Sequence, residues 1–109
     1  MAVAIKSLAK GQVSTTQQAV YTTATGKAAL VKNMRFVNTA TSGTSKINAF
    51  FKRGSNSYRI LDKDKDIVSG ATGILVDADE FCLEADDRIE LVVDTGTVDY
   101  VISGIERDQ

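Results

Sequence analysis

Four residue types that often carry chemistry or shape turns are missing or nearly so. The 109-residue sequence has no proline, histidine or tryptophan, and its one cysteine is Cys82. Without histidine, the chain lacks the commonest acid–base group and metal ligand of enzymes. A single cysteine excludes a disulfide within the chain, and since no histidine could activate its thiol, we interpret Cys82 as a small strand residue. Without proline, turns depend on Gly, Asn, Asp, Ser and Thr.

Long apolar runs are also missing. No segment approaches the roughly 18 apolar residues of a membrane helix, and the N-terminal MAVAIKSLAKG lacks the continuous apolar core of a signal peptide. With 43% hydrophobic and 25% charged residues, the composition is that of a folded domain with a modest core. We therefore expect one domain over residues 1–109, made in a cytoplasm and without a membrane partner. Residues 1–10 are expected to form an N-terminal arm or an edge strand.

Acidic residues are absent from the first 61 positions, which contain nine of the 13 Lys and Arg residues. All 14 Asp and Glu residues follow, opposed by only four Lys and Arg. Two arrangements can accommodate this segregation. Strands of the two halves can alternate within a sheet, so that charges cancel between neighbours. Alternatively, the halves can form two faces of opposite sign, suited to docking between copies or onto a charged lattice.

Short runs of alternating apolar and polar residues predict strands, and no stripe of helical period is long enough to predict a helix. The segment 88–94 alternates most clearly, with Ile89, Leu91 and Val93 predicted to face inward. The segment 28–39 is apolar on both faces, which predicts either a central strand or a bulge that exchanges the faces. The other predicted strands cover residues 3–8, 19–22, 46–53, 58–61, 74–76, 80–84 and 98–105.

Segment 3–8 is either a strand or an arm, so the count is about eight short strands. Turn residues separate them at regular spacing, as is typical of β-sandwiches and barrels. The predicted fold is therefore all-β: an antiparallel, jelly-roll-like β-sandwich. Within it, residues 62–66 are predicted to be a charged connection and residues 106–109 a polar tail. On segment 28–39, we expect Leu30, Met34 and Phe36 to share one face.

The acidic segment 62–66 (DKDKD) begins like a calcium-binding loop. However, Ile67 and Gly73 occupy the positions that require a glycine and a bidentate acid. The remaining carboxylates include no identifiable pair of the kind that a glycosidase needs. The sequence also lacks a phosphate-binding glycine loop and a G-x-S-x-G motif. We therefore predict no enzymatic activity, no metal site and no cofactor.

A small basic and aromatic cluster is present around position 52. Lys52 and Arg53 lie near Phe50, Phe51 and Tyr58 in the sequence, and cations beside aromatic rings are how single-stranded nucleic acids are held. The cations here are sparse, and Phe51 fits the pattern of a core residue. We therefore predict no nucleic-acid partner.

Segments 8–39 and 80–106 contain five short motifs, each of which occurs once. They are a G-Q pair, Y-T-x-x-x-G-K, V-K-x-[IM]-R-x-x-N-T, L-x-A-x-D-x-I-E and V-D-x-x-I-S-G-x-E, at positions 11–12, 21–27, 31–39, 83–90 and 98–106. In this layout the chain resembles small structural proteins of tailed-phage virions. The motifs are strand-and-turn patterns rather than sites. At positions 23–25, Thr-Ala-Thr replaces the Val-Pro-Ala that is more typical of those proteins.

The resemblance implies a β-sandwich without catalytic residues, found on capsids as a cement or decoration subunit, or in tails and fibres. Our leading expectation is a bacteriophage capsid cement or decoration protein, located in the virion and bound to the outside of the major capsid protein shell. The alternatives are a tail, neck or fibre component bound to another virion protein and, from a different class, a carbohydrate-binding β-sandwich. We expect a homo-oligomer, with a cyclic trimer joining basic to acidic faces. The candidate contact residues are Lys52, Arg53 and Arg59 on one side and Asp86, Asp87 and Glu90 on the other.

Overall fold

Nine β-strands make up the regular structure of the described residues. A computed structural model of the chain describes residues 3–40, 42–61, 63–69 and 81–108. The strands are β1 (Val3–Gln12), β2 (Gln18–Thr22), β3 (Lys27–Asn38), β4 (Thr44–Arg53), β5 (Asn56–Arg59), β6 (Lys65–Val68), β7 (Phe81–Leu83), β8 (Arg88–Val93) and β9 (Val98–Asp108).

The strands pair into two antiparallel sheets. Sheet A has the order β1-β9-β3-β7, and sheet B has the order β2-β8-β4-β5, with β6 also pairing with β4. These are the strand orders of a jelly roll, a fold of two packed sheets in which early strands pair with late strands within each sheet. The predicted all-β, jelly-roll-like sandwich is therefore confirmed. Within the described residues, β1 lies at one edge of sheet A and pairs with β9.

This pairing accounts for the uneven distribution of charge along the sequence. The pairs β1–β9, β9–β3, β2–β8 and β8–β4 each join a strand from the first 61 residues to a strand from the acidic remainder. Ion pairs join the same two parts: Lys27–Asp108 at 2.6 Å, Lys46–Asp66 at 2.7 Å and Arg53–Asp87 at 2.7 Å. The structure thus has the interleaved arrangement, in which charges cancel between neighbouring strands.

The core lies between the two sheets. It is formed by the inward-facing side chains of strands whose successive side chains alternate between the two faces of a sheet. Ile89, Leu91 and Val93 on β8 are each at most 1% exposed, which confirms the inward face predicted from their alternation. Removing such side chains from water is the main stabilising contribution to a fold of this size. Other enclosed side chains are Val31, Met34, Phe36, Ile47, Ala49, Leu83, Val98 and Ile102.

Two bulges on either side of Gly104 decide which side chains of sheet A face outward. The register with β9 shifts between Ser7 and Ala9 on β1 and between Val31 and Asn33 on β3. A Cβ added to Gly104 would collide with the carbonyl oxygen of Leu30 and would lie 3.1 Å from Cδ1 of Leu8. Only glycine therefore fits between the bulged neighbours.

The bulge on β3 exchanges the faces of that strand, as one of the two alternatives for segment 28–39 predicted. Before the bulge, Val31 is buried and Leu30 faces outward; after it, Met34 and Phe36 are buried. The expectation that Leu30 shares a face with Met34 and Phe36 was therefore wrong. A bulge inserts one residue without changing the local composition, so the alternation on each side remains regular.

Two boundaries also differ from the sequence prediction. The prediction that residues 106–109 form a polar tail is wrong for residues 106–108, because β9 continues to Asp108 between β1 and β3. Part of the predicted connection 62–66 belongs to β6, whose Ile67 is 2% exposed and packs in the core. The predicted strand 74–76 lies outside the described residues.

Candidate interaction surfaces

The six charged residues predicted as contacts lie together on one side of the molecule. Lys52 on β4, Arg59 on β5 and Glu90 on β8 share the outer face of sheet B, because Phe50 is the register partner of both Arg59 and Glu90. The other three lie at the adjoining end of the sandwich: Arg53, Asp86 and Asp87. The structure therefore brings the basic and acidic candidates into one region and does not separate them onto two sides.

Arg53 and Asp87 form a bidentate ion pair within the chain. The Nε and Nη2 atoms of Arg53 donate to the two carboxylate oxygens of Asp87 at 2.8 and 2.7 Å, and Nη2 also donates to Glu84 at 3.0 Å. The Asp87 side chain is only 2% exposed. The hydrogen bonds from Arg53 hold the pKa of Asp87 below its ordinary value, although burial opposes this. The pair fastens the end of β4 to the turn before β8.

Asp86 and Asp87 also connect this end of the sandwich to the β2–β3 turn. The backbone N–H of Asp86 donates to the carbonyl of Thr23 at 2.9 Å, and the backbone N–H of Thr23 donates in return to the carbonyl of Asp87 at 2.9 Å. The side chain of Asp86 accepts from Thr25 at 3.2 Å. Asp86 adopts a positive φ of 70°, which Asp tolerates better than most residues. These contacts give Asp86 a role in closing the turn.

Glu90 is held by neighbours on its own sheet. Its carboxylate accepts from Nε2 of Gln17 at 2.8 Å and from Nε of Arg88 at 2.7 Å. Both bonds favour the charged form, so the pKa of Glu90 is lowered, chiefly by Gln17 and then by Arg88. The charge of Lys52 contributes to the same shift.

The most exposed part of sheet B is its edge at β5. All four residues of β5 are exposed, and Tyr58 is 57% exposed, in an edge-on contact with Phe51 at 6.2 Å between ring centroids. Arg59 lies over the Phe50 ring at 4.9 Å and donates to Oδ1 of Asn48 at 2.7 Å. We call Tyr58 and Arg59 of β5, with the neighbouring Lys52 of β4, the β5 edge. Lys52 and Arg59 lie on its outer face, and Tyr58 lies on the opposite face with Phe51.

The outer face of sheet A differs from that of sheet B. Leu30 is the register partner of Cys82 on β7 and of Ile105 on β9, so these three side chains form a row across three strands, which we call the Leu30 row. Cys82 is exposed, and Leu30 and Ile105 are partly exposed. An open depression of about 390 Å³ lies over this row and is bordered by Glu84 and Arg107.

The carboxylates that could suggest a metal site have separate partners. Asp64 accepts from the side-chain amide of Asn48 at 3.0 Å, and Asp66 pairs with Lys46 at 2.7 Å. In residues 3–40, 42–61, 63–69 and 81–108, no group of three or more His, Cys, Asp or Glu side chains is placed to hold a metal ion. Among the same residues, no helix is long and apolar enough to span a membrane. Asp62, Asp77, Asp79 and Glu80 lie outside them.

Three features of these surfaces were missed by the sequence prediction. The outward position of Leu30 depends on the bulge in β3, which leaves no mark on the residue pattern. The exposure of Tyr58 has a weak signal, because Tyr58 follows the Gly54-Ser55 turn on a short strand next to Arg59. The ion pair between Arg53 and Asp87 has no local signal in the sequence, because the two residues are 34 positions apart.

Comparison with family models and with curated protein sequences finds no match. Among solved structures, the fold is similar to that of a protein of Bacillus endospore appendages, which are described as forming a novel family of disulfide-linked pili. The TM-score is 0.54 at 10% identity, over 97% of this chain and 88% of that chain. A chain of infectious bursal disease virus, Gt strain, gives a TM-score of 0.49 at 7% identity, over 96% of this chain and 32% of the viral chain. The first similarity shows a shared β-sandwich fold.

Proposed function

We propose that this chain is a structural subunit of a bacteriophage virion, bound to the outside of the capsid shell as a cement or decoration protein. The observation that carries the proposal is the β5 edge. A large aromatic side chain, Tyr58, is 57% exposed on the edge strand β5, and Arg59 and Lys52 lie on the other face of the same edge. Tyr and Arg are among the residue types that contribute most to binding at protein–protein interfaces. The resemblance of the sequence to phage virion proteins supports the same assignment.

The backbone of β5 adds a second means of attachment. Within the described part of the chain, β5 pairs with β4 alone. The free edge of a strand presents N–H and C=O groups that an extended segment of a partner can pair with. A capsid lattice repeats one partner surface many times, so a linked or oligomeric subunit binds it firmly even when each contact is modest.

Variants of the β5 edge test this proposal directly. Purified Tyr58→Ala and Arg59→Glu proteins are added to capsids that lack the native subunit, and the bound fraction is measured on sedimented particles. We expect affinity to fall roughly tenfold or more for each variant, which is the loss typical of an interface hot spot. Arg53 is left unchanged because its pair with buried Asp87 supports the fold.

The matched control is Lys10→Glu, which changes an exposed charge on β1 in the other sheet. The control protein is expected to bind like the wild type. If Tyr58→Ala and Arg59→Glu both keep full occupancy on the capsids, the β5 edge is not the attachment surface and the proposal loses its main support.

The similarity in fold to a pilus protein favours a second candidate, a tail, neck or fibre component. The two candidates differ in copy number and position. A decoration protein is expected at many copies relative to the major capsid protein on a stained gel, with gold-labelled antibody over the heads. Few copies, with the label on tails or fibres, would replace the first candidate by the second.

A further inference from the structure

We infer that the partner at the β5 edge contributes an extended segment in which one apolar residue lies between two acidic residues, and that this segment pairs with β5 as an added antiparallel strand. The inference deepens the proposed function and rests on it for the choice of this edge. Three properties of β5 lead to it. They are the direction of its backbone groups, the aromatic side chains on one face and the cations on the other.

The backbone of β5 presents the N–H and C=O groups of Ser57 and Arg59 to a partner. In an antiparallel pair of strands, hydrogen-bonded and non-hydrogen-bonded positions alternate. The N–H of Ile60 donates to the carbonyl of Ala49 at 2.9 Å, which makes Ile60 a hydrogen-bonded position. Tyr58, two residues earlier in the same register, is another. The groups of Ser57 and Arg59 therefore point away from β4, to a side where the described residues place no strand.

Aromatic side chains form a row on the face of β5 that Tyr58 occupies. Phe51 contacts Tyr58 at 6.2 Å and Phe81 of sheet A at 6.4 Å between ring centroids, both edge-on. Tyr58 ends this row and is 57% exposed. Arg53 lies over the Phe51 ring at 5.6 Å, but its guanidinium is already paired with Asp87. An apolar side chain opposite Tyr58 would continue the row and remove it from water.

The outer face of the same edge carries two cations that form no ion pair within the described residues. Arg59 donates to the neutral amide oxygen of Asn48 at 2.7 Å, and Lys52 takes part in none of the ion pairs. Two acidic groups of this face bind other side chains. Asp64 accepts from Asn48, and Glu90 accepts two bonds from its own sheet. Acidic side chains of a partner can therefore pair with both cations.

An added antiparallel strand places three partner residues against β5 in a fixed pattern. The residue opposite Tyr58 lies on the aromatic face, and its two neighbours lie opposite Ser57 and Arg59 on the outer face. Ser57 is the register partner of Lys52, and its short side chain lets an acid opposite it reach the Lys52 ammonium. The segment that fits is therefore acid–apolar–acid, with both acids also bonded to β5 through their backbones.

A second copy of β5 does not fit this pattern. The strand Asn56–Arg59 contains no acidic residue, so no register of β5 with itself gives Arg59 an acidic partner. With Tyr58 opposite its own equivalent, Arg59 of one copy would lie opposite Ser57 of the other and approach Lys52, a like charge. The chain has an Asp-Ala-Asp sequence at residues 77–79, outside the described residues. The occupant we infer is a segment of another protein.

Peptide binding to the full-length protein tests the pattern. Three capped peptides share flanking threonines and differ at their centres, which are Glu-Val-Glu, Glu-Glu-Val and Lys-Val-Lys. Each is titrated to millimolar concentration into isotope-labelled protein, and affinity is read from the NMR shifts of backbone amides. We expect Glu-Val-Glu to bind about threefold more tightly than Glu-Glu-Val, which keeps only one acid beside its valine, and about tenfold more tightly than Lys-Val-Lys.

The amides of Ser57 and Arg59 are expected to shift most with the Glu-Val-Glu peptide, because they gain hydrogen bonds. Equal affinities for Glu-Val-Glu and Glu-Glu-Val would overturn the inferred order of residues. No binding of any peptide would show that the edge is closed in the full-length protein, and would overturn the inference as a whole.

Methylation of single backbone nitrogens in the Glu-Val-Glu peptide tests the strand pairing. Methylating either glutamate nitrogen removes an N–H that points toward β5, whereas methylating the valine nitrogen removes one that points away. We expect affinity to fall about tenfold for the glutamate peptides and to change little for the valine peptide. Equal losses at all three positions would overturn the addition of an antiparallel strand.

Charge reversal in the protein tests the contact with Arg59. The Arg59→Glu variant should bind Glu-Val-Glu about tenfold more weakly and Lys-Val-Lys more tightly than the wild type does. Lys10→Glu, on the other sheet, should change neither affinity. If Arg59→Glu does not gain affinity for Lys-Val-Lys while its far-UV circular dichroism is unchanged, the inferred charge pattern is wrong.

The remaining outcomes separate this inference from its alternatives. Glu-Val-Glu binding that appears only after Asp77→Ser and Asp79→Ser are combined would identify the chain's own segment as the occupant and overturn an external one. If Tyr58→Ala loses capsid binding but no peptide binds the wild type, this inference fails and the proposed function stands. If the peptides bind as expected while Tyr58→Ala and Arg59→Glu keep full occupancy on capsids, the inferred segment stands and the capsid is not its source.

Discussion

At the scale of single residues, charged side chains that suggest external contacts are used inside the molecule. Asp87 is the clearest example, since its carboxylate accepts three hydrogen bonds, two from Arg53 and one from the backbone of Glu84. A buried carboxylate is tolerated when its oxygens are satisfied in this way. The trimer expectation relied on separate basic and acidic faces, and these internal bonds remove that argument for it.

The first prediction is that Asp87→Asn lowers the free energy of unfolding by about 1–3 kcal/mol at neutral pH. The pKa of Asp87 lies below its ordinary value of 3.8 in the folded state. Its stabilising contribution is therefore present above about pH 4 and is lost as the pH falls through the folded-state pKa. Thermal unfolding should show a wild-type advantage that narrows below pH 4. The control Asp99→Asn changes an exposed residue and should follow the wild type; a constant gap at every pH would contradict the assignment.

The second prediction concerns Gly104. Because an added Cβ would collide with the Leu30 carbonyl oxygen, Gly104→Ala should lower the free energy of unfolding by about 1–3 kcal/mol, as overpacking does. The midpoint of thermal unfolding should fall by roughly 4–8 °C per kcal/mol in a domain of this size. The neighbouring Ser103→Ala, which alters a partly exposed outward residue, should stay within about 0.5 kcal/mol of the wild type. Equal midpoints for the two variants would show that the strands can move apart without lowering the free energy of unfolding.

At the scale of strands, sequence patterns predict position well where one face is buried and the register is regular. The side chains of β4 and β8 alternate without interruption, and Ile47, Ala49, Ile89 and Leu91 are buried as their spacing indicates. The pattern fails for β6, whose four residues include a single buried apolar side chain, Ile67. Short polar strands are fixed by pairing with a neighbour distant in the chain, and local composition does not encode that neighbour.

The same limit applies to the surfaces. The β5 edge was partly predictable, because Lys52 and Arg59 were chosen for their charge and both lie on it. The Leu30 row was not, because the bulge between Val31 and Asn33 decides which residues of β3 face outward. A shift of one residue moves every later side chain of a strand to the other face, so the surface follows from the register.

Asn38 provides the third prediction, at the junction of the two sheets. It is 1% exposed, and its side-chain amide donates to the carbonyl of Ile67 at 2.9 Å, while its oxygen accepts from the backbone of Ala40 at 3.0 Å. Asn38→Ala leaves both backbone groups without this partner and should cost about 1–3 kcal/mol of unfolding free energy in urea titration. Asn33→Ala, an exposed change on the same strand, should cost less than about 0.5 kcal/mol. Similar losses for both would indicate that Asn38 acts only through strand propensity.

At the scale of the whole molecule, the pairing of early with late strands explains both the balance of charge and the way the chain must fold. The register partners Val3 and Arg107 lie near opposite ends of the sequence, and β9 joins β1 to β3 throughout sheet A. Sheet A cannot form until distant segments meet, and the loss of chain entropy precedes most of the stabilising contacts. Folds of this kind reach the native state in milliseconds to seconds, more slowly than helical proteins of equal length.

The fourth prediction joins this topology to the absence of proline. Proline isomerisation is what usually adds a folding phase of about 10–100 s, and this chain has no proline. Refolding from urea, followed by the fluorescence of its three tyrosines in a stopped-flow instrument, should therefore be a single exponential without such a phase. The variant Thr15→Pro, in the exposed β1–β2 connection, should acquire a slow phase that a prolyl isomerase accelerates. A slow phase in the wild type that grows with protein concentration would mean that assembly of copies limits folding; one independent of concentration would mean that the strands of sheet A first pair in the wrong register.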